Sequence, residues 1–226
     1  MQIHTIPVGA DNCYIIRQRG AILIDGGMPG PTACEDLAKG LEAAGVEAHD
    51  LKAIILTHCH WDHIGCVAKI KELTGAPVIL HRNEQVVLEQ GLRSMPPGIT
   101  IWGLILGSML NRYSKGLRLE PCKADITLGD EDFPLEDYGI DGVITATPGH
   151  SPGSLSILLD DGSAFVGDLA MNGFPLTFGP SLPIFATDKP KIAESWKKLI
   201  KRKVRTIYPA HGKPFAIEEL QRRAKL

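Results

Sequence analysis

The sequence predicts a layered α/β or α+β sandwich, and three observations point there. Short β-branched runs bounded by Gly, Pro or Asp-Asn recur along the chain. Several apolar segments are too short for a helix and suit buried strands. Helical patterns mix with the strands and are partly segregated from them, unlike a strict βαβ array. With 226 residues, 44% hydrophobic and 22% charged, the chain is expected to form one domain over residues 1–226.

The elements follow in order. Residues 3–8, 13–17 and 21–24 read as an antiparallel meander punctuated by Gly and Asp-Asn. A helix over about 31–44 opens on Pro31 and closes near Gly45. Lys52-Ala53-Ile54-Ile55-Leu56 is a buried strand, followed by a helix reaching about residue 73, a strand at 77–80, a helix at 83–90 and an apolar helical piece at 99–113. Strands are expected near 125–128, 142–146, 154–159 and 163–166, then a helix at 189–203, a strand at 205–208 and a closing helix at 217–224.

Bulk properties exclude several roles. A formal charge of -2 and a pI near 6.4 give no pull toward nucleic acid or anionic lipid. The one basic run, Lys197-Lys198-Leu199-Ile200-Lys201-Arg202-Lys203, reads as the solvated face and basic end of a helix. The N-terminus lacks the pattern of a secretory signal, and the apolar run at 99–110 is too short for a membrane span, which takes roughly 20 residues. A cytoplasmic protein without nucleic-acid or membrane partners is expected. Cys13, Cys34, Cys59, Cys66 and Cys122 are scattered, with no C-x-x-C pair, so neither a disulfide framework nor a zinc finger is expected.

The chemistry gathers at strand ends. His58, His60, Asp62 and His63 follow one strand, His150 another, Asp168 a third and His211 a fourth. Strand ends in one sandwich can share an edge, and loops on a rigid scaffold carry function. Imidazole and carboxylate suit zinc or a similar first-row divalent ion. In an extended loop, residues i and i+2 point the same way, so His58 and His60 can grip one ion while Asp62 and His63 turn toward a second. A carboxylate such as Asp168 can bridge two ions. His4, His49 and His81 read as structural. Glycines beside His150 and His211 give close backbone approach or an unusual turn.

The run Thr57-His58-Cys59-His60-Trp61-Asp62-His63 with the later His150, Asp168 and His211 resembles the metallo-β-lactamase superfamily, whose signature is H-x-H-x-D-H, a lone His, a lone Asp and a last His. The resemblance spans nearly the whole chain. It implies a four-layer αβ/βα sandwich of two mixed sheets flanked by helices, with metals at one edge. It implies a first metal on His58, His60 and His150, a second on Asp62, His63 and His211, and Asp168 as the bridge. Asp25, in Leu23-Ile24-Asp25-Gly26-Gly27, would orient ligands.

The implied cofactors are two divalent ions, zinc foremost, with iron or manganese as alternatives. The implied reaction is hydrolysis of an ester, lactone or thioester-type small molecule by a metal-bound hydroxide, with Asp62 taking or relaying the proton. A secreted β-lactamase fits poorly, because Asp168 is present and a signal is not. Classical glyoxalase II carries a helical domain after the last histidine, whereas 15 residues follow His211. Persulfide dioxygenases share the motif but hold a single iron, and they are the runner-up. Residues 91–124 read as an insertion serving as lid, core helix or homodimer contact; the segment 174–180 lines the pocket or packs as a loop. No substrate-binding residue is assigned from either.

Overall fold

The computed structural model describes residues 1–113, 116–173 and 175–223, so residues 114 and 115 of the insertion, Phe174 of the 174–180 segment and Ala224 of the closing helix lie outside the described residues. The first sheet runs in chain order: β1 (Gln2–Val8), β2 (Asp11–Arg17), β3 (Ala21–Ile24), β4 (Leu51–Ile55), β5 (Val78–His81) and β6 (Ile126–Leu128). The meander β1-β2-β3 is antiparallel, and the pairs from β3 to β6 are parallel. The second sheet takes the rest of the chain: β7 (Phe133–Pro134), β8 (Gly142–Ala146), β9 (Leu155–Leu159), β10 (Ser163–Gly167), β11 (Thr206–Pro209) and β12 (Phe215–Ala216). Only its β10-β11 pair is parallel.

Helices cover both outer faces. α1 (Pro31–Ala43), α2 (Val67–Thr74) and α3 (Gln85–Glu89) belong to the first sheet's side, and α5 (Lys189–Lys201) and α6 (Glu218–Arg223) to the second's. The two-residue period of the strands builds the layers. In β3, Ala21 and Leu23 enter the cluster under α1 and α2, while Ile22 and Ile24 enter the cluster between the sheets. In β10, Ala164 and Val166 face α5, and Phe165 faces the first sheet. The result is the four-layer αβ/βα sandwich of two mixed sheets. Truncating a leucine or isoleucine in these layers to alanine costs about 2–5 kcal/mol.

The helices form where the signals lie. Pro31 opens α1, and Gly75, at φ 70°, closes α2. Asp188 caps α5 by accepting from Lys191 N at 3.1 Å, and Ile192, Ser195, Trp196 and Leu199 form its buried stripe. The basic run lies mainly on the helix's solvated side and beyond its end. α4 (Ile101–Tyr113) lays Leu106 and Leu110 on Met171, Ile184 and Phe185, while Ile101, Leu104, Ile105 and Met109 stay exposed.

Several local expectations change. The segment after the metal motif is a turn through Cys66, and helix begins only at Val67. The two-residue strands β7 and β12 are too short to show periodicity in sequence. One disulfide, Cys34–Cys66, forms in a chain whose scattered cysteines predict no disulfide framework. Packing of α1 beside α2 brings the two Cα atoms to 5.2 Å across a separation of 32 residues, a proximity that linear spacing does not encode. Cys13, Cys59 and Cys122 are buried thiols. Among the described residues, no helix is long and apolar enough to cross a membrane.

Candidate metal centre

The loops carrying chemistry leave strand ends at one edge of the sandwich. His58 to His63 follow β4, His150 follows β8, Asp168 follows β10 and His211 follows β11. Six of these seven side chains are buried, and Asp62 alone is partly exposed, its side chain 22% accessible. Their potential ligand atoms fall into overlapping groups, each within 4.8 Å: His58, His60 and His150; Asp62, His63 and His211 with Asp11; and His58, His63 and Asp168. His4, His49 and His81 stand outside these groups, His81 accepting from Asn83 N at 3.2 Å.

The first group is a triangle of imidazoles, with ring centroids 4.5 to 4.6 Å apart. His58 Nδ1 donates to Thr57 Oγ1 at 3.1 Å, and His150 Nδ1 donates to the Phe185 carbonyl at 2.9 Å. Their other nitrogens, both Nε2, face each other at 3.1 Å, and His60 Nδ1 lies 2.8 Å from His150 Nε2. Two neutral imidazoles with Nδ1 already donating present lone pairs at these positions, which repel unless a proton or cation lies between them. Burial and the neighbouring imidazoles hold His58 and His60 well below the usual histidine range. His150 is also lowered, chiefly by burial.

The second group is rich in carboxylates. His63 Nδ1 lies 3.0 Å from Asp25 Oδ2, and its Nε2 faces Asp168 Oδ1 at 3.4 Å, both of the latter atoms buried without a hydrogen bond. His211 Nε2 lies 3.3 Å from Asp168 Oδ1 and 3.9 Å from Asp62 Oδ2. Burial works against the charge on His63 and His211, yet carboxylates win. Asp168 and Asp25 push His63 well up, and Asp168 and Asp11 push His211 to about 10. For Asp168 burial is likewise overcome, by His211, His63 and His150, and its carboxyl sits far below the usual range. Asp168 spans the groups: Oδ1 faces His63 and His211, and Oδ2 faces His150 at 3.5 Å.

A supporting shell fixes these rings. Asp25 accepts from Thr57 N at 2.8 Å and Thr57 Oγ1 at 2.7 Å besides meeting His63, so one carboxylate aligns both groups. It does so from the left-handed region, φ 61°, a costly conformation for a non-glycine residue that neighbouring bonds must hold. Gly149, at φ 141°, packs where a Cβ would meet Ile192, and Gly212, at φ 99°, lies against the Asn172 carbonyl. Two acids in this shell escape a reading of the sequence. Glu84 is buried and accepts from Cys59 N at 3.1 Å, Ser151 Oγ at 2.8 Å and Gly153 N at 2.9 Å, tying the His58-His60 loop to the loop after His150. Asp11, which reads as turn punctuation before Asn12, is buried with its Oδ1 3.1 Å from His211 Nδ1. Burial pushes its carboxyl up, while the His211 ring beside it pulls it back toward the charged form.

The donor set fits divalent metal ions: facing imidazole nitrogens, a carboxylate with one oxygen toward each group, and buried polar atoms lacking protein partners. Comparison with known proteins agrees. The metallo-beta-lactamase superfamily model matches residues 6–211, and the chain belongs to that superfamily. It is 33% identical over 159 residues to the probable metallo-hydrolase MJ0888 of Methanocaldococcus jannaschii, a match covering 70% of this chain and 66% of the relative. The chain spans just under two thirds of the length of MJ0888 and 62% of that of YflN of Bacillus subtilis, also named a probable metallo-hydrolase. The fold superimposes on the B3 metallo-beta-lactamase BLEG-1 with a TM-score of 0.72, 26% identity and coverage of 96% of this chain and 95% of that one. It matches TTHA1623 in a di-iron-bound form with a TM-score of 0.67 and 24% identity over 99% and 98% of the two chains, a likeness of fold.

Proposed function

We propose that the chain is a dinuclear metal-dependent hydrolase acting on the carbonyl of an ester, lactone or thioester-type small molecule. The observation that carries this reading is Asp168, whose two oxygens face the two ligand groups separately. His58, His60 and His150 would hold one ion, Asp62, His63 and His211 the other, with Asp168 shared. Zinc suits this set best, and iron or manganese binds the same donor types. Such ions supply Lewis acidity, lowering the pKa of bound water and polarising the substrate carbonyl.

The chain's own groups divide the remaining work. Asp62, whose side chain is partly exposed, would accept a proton from the attacking water and return it to the leaving group. Thr57 and the Phe185 carbonyl engage Nδ1 of His58 and His150, leaving their Nε2 lone pairs aimed inward, and Asp25 holds Nδ1 of His63 so that its Nε2 faces the centre.

Metal analysis of the purified protein, followed by assays on lactones, thioesters and phosphodiesters and by oxygen uptake with glutathione persulfide, tests this reading. About two ions per chain and turnover of carbonyl esters are expected. One iron with persulfide-dependent oxygen consumption would overturn it.

A further inference from the structure

Asp11 begins β2 two hundred residues from His211, yet the two are neighbours because β2 is sewn to the loop after β11. Asn12 N donates to the Ala210 carbonyl at 2.8 Å, Asn12 Nδ2 to the Gly212 carbonyl at 2.7 Å, and Tyr14 OH to the Pro209 carbonyl at 2.6 Å. These bonds bracket His211 on both sides. With the backbone fixed, the ring's Nε2 faces Asp168 and Asp62 while its Nδ1 faces Asp11 Oδ1 at 3.1 Å and the Ala10 carbonyl at 3.2 Å. Asp11 is 2% exposed and neither of its oxygens has a hydrogen bond of good geometry, so burying it is costly unless the carboxylate serves the ring beside it.

Asp11 lies close enough to Asp62, His63 and His211 to be counted with them as a ligand. The orientation of His211 argues otherwise, because one imidazole cannot present Nε2 to an ion and share that ion with a carboxylate on its Nδ1 side. We propose that Asp11 is the positioning carboxylate of His211, fixing the ring so that Nε2 is free for the second ion and raising its basicity. This rests on the dinuclear reading above and adds a residue to it. Asp25 stands in the same relation to His63, with an oxygen 3.0 Å from Nδ1, so each imidazole of the carboxylate-rich group has an acid behind it.

The test compares wild type, Asp11→Asn and Asp11→Ala by two readouts. In the first, zinc-loaded protein is titrated with a chromophoric chelator. Asp11→Ala should release one ion about 10–100-fold more readily while the other ion is held as in wild type, and Asp11→Asn, which keeps an acceptor oxygen, should lose less. No weakening would show that the Ala10 carbonyl suffices, equal weakening of both ions would show a general disturbance of the centre, and either would overturn the proposal. The second readout is the ¹H–¹⁵N spectrum of the histidine rings in metal-free protein, where the His211 Nδ1–H resonance should move in both variants. It decides the matter even if wild type fails to bind two ions, a result that would sink the dinuclear reading: an unmoved resonance then refutes the role of Asp11. A fall in melting temperature with both readouts unchanged would mark Asp11 as structural only and also overturn it.

Discussion

The two halves of the centre solve the same packing problem by opposite electrostatics. Around His58, His60 and His150 the neighbours are other imidazoles, a hydroxyl, a carbonyl and a single carboxylate, Asp168, so burial wins and the rings are held neutral. Around His63 and His211 the neighbours are Asp11, Asp25, Asp62 and Asp168, and there the carboxylates win, favouring imidazolium. The first half is ready to bind a cation at neutral pH. The second must release protons to do so, and its acids supply the compensating charge once it has.

Asp168 alone faces both halves, so its removal should give the largest effect. Asp168→Ala is expected to lower kcat/KM on the order of 10³-fold and weaken both ions, because both lose a shared ligand. His60→Ala should strip the ion of the first half, abolishing turnover; full metal content and full activity in that variant would contradict the assignment. Next in size is the disulfide, which pins Cys66, three residues beyond His63, to α1. Reducing it should lower unfolding stability by about 2–4 kcal/mol in denaturant titrations.

Smaller again, Glu84→Gln should cost about 1–3 kcal/mol of stability, since the amide repels one of three donors, and should weaken the ion of the first half while sparing the second. Chelator competition on this variant beside Asp11→Ala gives opposite selectivities if the halves are independently supported. The subtlest contrast lies in pH. In metal-free protein the depressed histidines hold stability that is present above the unfolded value near 6.5 and lost as pH falls below it. The raised His211 holds stability that is present below 6.5 and lost as pH climbs through about 10. Melting temperature against pH should therefore fall on both flanks, His60→Ala flattening the acid flank and His211→Ala the alkaline one.

Periodicity and spacing made much of this legible. The apolar run of β4, the Pro31 and Gly75 boundaries and the alternation in β3 each follow from a local rule, and they put the four ligand-bearing loops at strand ends. What escaped depends on distant chain segments meeting. Asp11 and Glu84 resemble turn and helix-surface acids in sequence, and only the contact of β2 with the β11 loop, or of the turn before α3 with the loop after His150, buries them against donors. Cys34 and Cys66 likewise pair through helix packing. The segment around α4 divides between two readings, since one face packs on Ile184 and Phe185 and the other is open.

Strand order in both sheets follows chain order, so the first sheet is complete by residue 128 and the second uses only later residues. During synthesis, the emerging chain therefore displays His58, His60, Asp62 and His63 well before His150, Asp168 and His211 exist. In the proposed assignment the first group and the shared Asp168 are present before His211 emerges, and only the second group waits for it. Each ligand group therefore draws on loops of both sheets, and neither can be assembled until the second sheet has formed.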